Sequence, residues 1–140
     1  MERIKGVERE LLTARKAVDE FIAALKSGDA ELPPNTKLRD AETMSENLEG
    51  TYLIRLFAAF ESGLRSYWAT FKDTTPPSKD LIDSIAGRRG IPDDTREDVH
   101  AVREYRNSLV HENESETTPI EIGESRSRLC TFFARLPDQW

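Results

Sequence analysis

Apolar residues recur along this chain at three- and four-residue steps, and no stretch shows the two-residue alternation of a half-buried strand. Val7, Leu11, Ala14, Val18, Ile22 and Leu25 mark one face of a first helix over 3–27. The stretch "SGD" ends it, and "ELPPN" cannot continue it. A long second helix is predicted over 42–72. There Leu53, Leu56, Phe57, Phe60, Leu64, Tyr67, Trp68 and Phe71 fall within one arc at ~100° per residue. Gly63 lies in the same arc, where a missing side chain lets another helix come close at some cost in helix propensity. "TTPPS" breaks this helix, and Ser78 is positioned to cap a short third helix over 79–88 carrying Leu81, Ile82 and Ile85. Gly90 suits a left-handed cap at its end. Asp94 followed by Glu97 has the spacing of a capping box and opens a fourth helix over about 94–112. Pro119 starts the fifth, which runs to about 136 and carries Ile122, Leu129, Phe132, Phe133 and Leu136. The expectation is an all-α bundle of five helices, two of them long, in a single domain over 1–140.

The fourth helix contains an anomaly. Val99, Val102, Tyr105, Leu109 and Val110 share one arc, and Arg106 falls inside it. His100, Arg103, Asn107 and His111 line the adjacent flank. A buried, unpaired arginine is very costly, so Arg106 needs either a partner or a wet surface. Glu61 borders the apolar arc of the second helix, with Arg65 one turn on. One reading is therefore a buried Arg106–Glu61 pair that fixes how the helices register. The histidines alone say less. A histidine in the last turn of a helix suits the helix dipole, and His100 reads as an exposed residue without special neighbours.

Composition narrows the possibilities. The chain has 140 residues, the size of one domain. Its net charge of −6 argues against a general nucleic-acid coat and confines any such contact to a local arginine patch. Candidates are Arg88 with Arg89, and Arg126 with Arg128, each of which reads first as solvated surface. Cys130 is the single cysteine, so no internal disulfide or cysteine-based zinc site is expected. His100 and His111 are too far apart for a paired ligand set, so no metal is expected. No leader and no apolar run of ~20 residues is evident, and a soluble cytoplasmic protein without a cofactor is the expectation.

"RNSLVH", Arg106 to His111, near the end of a helix in a small all-α chain, resembles the HEPN superfamily. Nuclease members of that family carry Arg and His separated by four to six residues, often with a polar residue directly after the Arg. Arg106, Asn107 and His111 match. The preceding "YLIRLFAAFESGLRSYW" is similar to the second helix of RiboL-PSP-type HEPN proteins, and the five-helix layout agrees over most of the chain. The resemblance implies a homodimer in which the motif-bearing helices face each other and build one composite cleft. On an ideal helix Arg106 and His111 point ~140° apart, so a two-fold axis would let paired patches do what one chain cannot.

The resemblance also implies a reaction. The ribose 2′-OH attacks the neighbouring phosphate without a metal, leaving a 2′,3′-cyclic phosphate and a 5′-OH. His111 suits the proton transfers and Arg106 the charge on phosphorus. Asn107 would orient the imidazole or bind phosphate, Glu61 with Arg65 would position Arg106, and Arg103 and Tyr105 would hold RNA. Such an enzyme would act as a toxin, a phage-defence effector or an RNA-processing nuclease, and a toxin would have a neutralising antitoxin or effector partner. Glu112, Glu114 and Glu116, following the histidine, oppose an anionic substrate. Two non-catalytic alternatives stand beside this: a silent HEPN-like dimerisation or ligand-binding module, and a structural adaptor built on a buried Arg–Glu pair.

Overall fold

The computed structural model describes residues 1–111 and 117–137, which form five helices with no strand among them. They are α1 (Glu2–Ser27), α2 (Leu38–Ala69), α3 (Ser78–Arg89), α4 (Asp93–Val110) and α5 (Ile122–Phe133). The all-α expectation holds, with its two long helices first. Glu112, Glu114 and Glu116 lie outside the described residues.

Helix ends follow local chemistry in some places and tertiary chemistry in others. Gly28, at φ 82°, and Gly90, at φ 60°, close α1 and α3 in the left-handed region, where a side chain would be strained. α2 starts four residues earlier than expected. There the Asp40 carboxylate accepts the Lys37 backbone N–H at 2.8 Å and satisfies a donor that the helix leaves unpaired. The expected box at the head of α4 does not form. Asp94 lies inside the first turn, and its carboxylate accepts the backbone N–H of Thr95 at 2.6 Å. Nor does Ser78 cap α3; it is the first helical residue, after Pro77. α5 begins at Ile122 and ends at Phe133, shorter at both ends than expected. Its first N–H is taken at 3.0 Å by Glu49 of α2, while the other oxygen of Glu49 accepts from Arg15 of α1 at 2.8 Å. One carboxylate thus joins three helices. Its pKa is held below the usual range by the Ile122 N–H, with burial opposing and Arg15 assisting.

α2 is the spine. Leu53, Leu56, Phe57, Phe60, Leu64 and Tyr67 are buried along it, and Trp68 and Phe71 pack at the core's edge. α1 runs antiparallel to it, tied by Glu10–Arg55, Arg15–Glu49 and Lys26–Glu42 at 2.7, 2.8 and 3.0 Å. Such partly exposed pairs contribute at most ~1 kcal/mol each, so they set register more than stability. Ile4, Val7 and Leu11 of α1 are buried, but Ala14, Val18, Ile22 and Leu25 are only half-covered. Cys130 lies half-buried at the edge of the core, and burial pushes its thiol up.

Gly63 does what its place in the arc suggested. A Cβ there would lie 2.5 Å from Cζ of Phe133, whose ring meets Phe60 edge-on at 5.1 Å between centroids. The phenyl ring of α5 therefore occupies the space of the missing side chain. Gly63→Ala gains about 1 kcal/mol of helix propensity but forces a well-packed ring to move, which costs roughly 1–3 kcal/mol. A net loss is expected in urea denaturation, and Phe133→Leu in the same chain should restore part of it. An alanine variant as stable as wild type would contradict this packing.

Candidate functional site at the C-terminal end of α4

α4 leaves the core along its length. Val99 and Val102 are fully buried, Tyr105 and Arg106 are half-buried, and Leu109 and Val110 are 37% and 47% exposed. Arg106 lies at the point where the apolar arc emerges. Its guanidinium is 5.8 Å from the centre of the Phe57 ring, within reach of a cation–π contact. Nη1 donates to the Asn107 side-chain oxygen at 2.9 Å, while Nε is buried without a hydrogen-bond partner.

The anticipated Arg106–Glu61 ion pair does not form. Glu61 is taken by Arg65, one turn along the same helix, which donates Nε at 3.0 Å and Nη2 at 2.6 Å. Ser78 supplies a further hydrogen bond to the Glu61 carboxylate. Burial works to raise the pKa of Glu61. Ser78 and Arg65 outweigh it, with the more distant charge of Arg106 adding a little, and hold the carboxyl below its ordinary range. Arg106 therefore feels Glu61 without being neutralised by it.

His111 is the first residue beyond α4. Its backbone is extended (φ −119°, ψ 99°), its N–H still bonds the Asn107 carbonyl at 3.0 Å, and its side chain is exposed. Arg106 and Asn107 are brought together, and His111 is tied to Asn107 through the backbone; no hydrogen bond joins Arg106 to His111. Tyr105, with Gly50, Leu53, Leu109 and Ile120, lines a groove of ≈720 Å³ between α2 and the segment leading into α5. That segment is held to α4 by a 2.7 Å bond from the Thr117 hydroxyl to Ser108.

His100 is not the isolated surface residue its position suggested. Its Nε2 lies 2.8 Å from Asp83 of α3, and Arg103 Nε donates to its Nδ1 at 3.4 Å. The hydrogen bond to His100 holds the Asp83 carboxyl below its usual range; slight burial opposes this and Arg96 assists. His100, braced by Arg103, thus fastens α4 to α3. The basic pairs are engaged as well. Arg126 pairs with Glu8 at 2.7 Å and Arg128 with Asp98 at 3.3 Å. Arg88 stacks on Phe71 at 4.1 Å, and Arg89 donates to the Arg135 carbonyl at 3.4 Å. Among the described residues no cluster of three His, Cys, Asp or Glu could hold a metal, and no helix is long and apolar enough to cross a membrane.

Compared with family models, curated proteins and solved structures, the chain matches none.

Glu61 carries a pH prediction. Its folded pKa lies below the ordinary value of 4.5. The stability it contributes is therefore complete above that value and is lost as pH falls through the lower, folded one. Urea midpoints measured from pH 6 downward should drop through this window, and Glu61→Gln should remove part of the slope. An unchanged slope in the variant would mean that Glu61 is not held as described.

Proposed function

We propose that this chain is a metal-independent endoribonuclease of the HEPN type, acting as a homodimer in the manner of a toxin or phage-defence effector. The observation that carries the reading is the state of Arg106. It is a half-buried guanidinium with no carboxylate against it among the described residues, clasped to Asn107, next to a helix end that presents His111 to solvent. An under-neutralised cation at the mouth of a site is suited to an anionic ligand, and a phosphodiester supplies one.

In the proposed reaction the 2′-oxygen bonds to phosphorus as the bond to the 5′-oxygen breaks. His111 exchanges protons with the attacking and leaving oxygens, and the planar fork of Arg106 takes up charge on the phosphoryl oxygens. Asn107 holds that fork in place. The separation of Arg106 from His111 within one chain is met by a second copy, whose contact along the same arc would also cover Leu109 and Val110. RNA is the substrate and DNA is excluded, because the attacking group is the 2′-OH. The acidic chain would select a particular RNA, or one delivered by a partner, and a toxin of this kind would be held by an antitoxin. A catalytically silent dimerisation or ligand-binding module is the second reading; the lack of contact between Arg106 and His111 favours it if the protein is a monomer.

Incubation with a panel of RNAs in EDTA should yield fragments ending in cyclic phosphate. His111→Ala should reduce the rate about 100-fold or more at unchanged helix content and dimerisation. Equal rates in wild type and variant, or no cleavage by either, would sink the enzyme.

Arg106 should show a trade-off. Arg106→Lys should stay impaired, since a point charge does not replace the fork. Arg106→Met should lose cleavage while stability is unchanged or rises by about 1 kcal/mol, because the unpartnered Nε goes with it. A marked loss of stability in Arg106→Met, read by thermal melting, would instead identify a structural arginine.

A further inference from the structure

The C-terminal end of α2 carries a second feature, about one turn beyond Arg65. Arg65 and Trp68 lie on the last turns of α2, and Lys72, just past the helix end, is tied back to it by its backbone N–H, which donates to the Trp68 carbonyl at 3.0 Å. With Asp73, Thr74 and Thr75 they border a cavity of ≈470 Å³. Its walls are fixed by specific bonds. The indole N–H of Trp68 donates to the Thr74 hydroxyl at 3.0 Å. Arg65 Nη1 donates to the Pro76 carbonyl at 3.0 Å, so the guanidinium that holds Glu61 also holds the loop. Phe71 supports the indole edge-on, with centroids 5.2 Å apart. Lys72 is exposed and forms no ion pair among the described residues.

We propose that this cavity is a nucleotide subsite, in which a single-stranded RNA base stacks on Trp68 and the adjoining phosphate meets the ammonium of Lys72. The assignment of RNA as ligand rests on the ribonuclease reading; the cavity itself does not. An aromatic face beside an unpaired cation is the combination that binds single strands without sequence preference. The Asp73 carboxylate and the Thr75 hydroxyl add polar groups suited to the amino and carbonyl edges of a base. The position fits as well. Trp68 lies seven residues from Glu61, about 10 Å along the helix, and Glu61 is the carboxylate that senses Arg106. A strand whose scissile phosphate is held at Arg106 would run along this face of α2, past Glu61, toward Trp68. Glu61 and Arg65 occupy the interval as a neutral pair that does not repel the backbone.

The test uses an uncleavable probe, a 2′-O-methyl RNA octanucleotide of mixed sequence, and the whole chain carrying Trp140→Phe so that Trp68 is the only indole. Binding should quench its fluorescence. Measured by polarisation of a labelled probe, Trp68→Leu should weaken binding about tenfold or more at unchanged helix content. Lys72→Ala, at an exposed position that folding does not require, should lower the slope of log K against log salt by about one. Wild-type affinity and slope in both variants would overturn the subsite while leaving cleavage through Arg106 and His111 standing. Absence of any binding to the probe by wild type would overturn it too. Binding that depends on Trp68 in a protein that cleaves no RNA would uphold the subsite and remove the ribonuclease reading instead.

Discussion

The contact on which the arrangement depends is the insertion of the Phe133 ring into the gap left by Gly63. It brings α5 against the C-terminal half of α2, where Phe60 meets both Phe132 and Phe133 edge-on. Close approach of this kind is set by shape, and a well-packed interior tolerates little adjustment. With α5 seated there, and its head fastened to Glu49, the buried half of α4 is enclosed and Val99 and Val102 are sealed. The remaining turns of α4, from Tyr105 onward, extend past this enclosure. The candidate site is the part of α4 that the other helices do not cover.

That geometry makes the site electrostatically uneven. Most arginines of the chain have a carboxylate or an aromatic face nearby, often both helices contributing. Among the described residues Arg106 has only the edge of that provision: an amide, a ring at the limit of contact and a carboxylate already engaged. A charge left in this condition lowers stability and raises affinity for an anion. In a protein of net charge −6 it is also a local exception to the prevailing sign.

Helix number, helix order and the buried face of α2 were legible in the sequence, because periodicity over many turns reports burial directly. The glycine at 63 was legible for the same reason, as a gap in an otherwise bulky stripe. What escaped were pairings settled between helices. Glu61 had two arginines to choose from, and the choice fell to Arg65 because a partner four residues away on the same helix needs no tertiary alignment. The bond from His100 to Asp83 joins α4 to α3, and no spacing rule links those positions. The start of α5 is set by Glu49, a residue 73 positions upstream, so local cap signals at Pro119 could not locate it. The site residues were visible as a motif, and Arg106 also as a charge inside an apolar arc, with its angular separation from His111 set by the helix repeat. That Glu61 leaves Arg106 without an ion pair among the described residues required the fold.

Asn107 and His111 stand in the relation of one helical hydrogen bond, residue i and residue i+4. The same Asn accepts the arginine's fork through its side chain and the histidine's amide through its backbone. Motif spacing is therefore the helix's own stride. One residue fewer, and the histidine would be wound into the last turn, its ring direction dictated by the helix. With four residues intervening between Arg106 and His111, the histidine's backbone is anchored to the helix at its nitrogen yet is itself extended. The imidazole therefore projects from an extended residue into solvent, its direction set by the chain's exit from α4 and not by the helix's own rows of side chains.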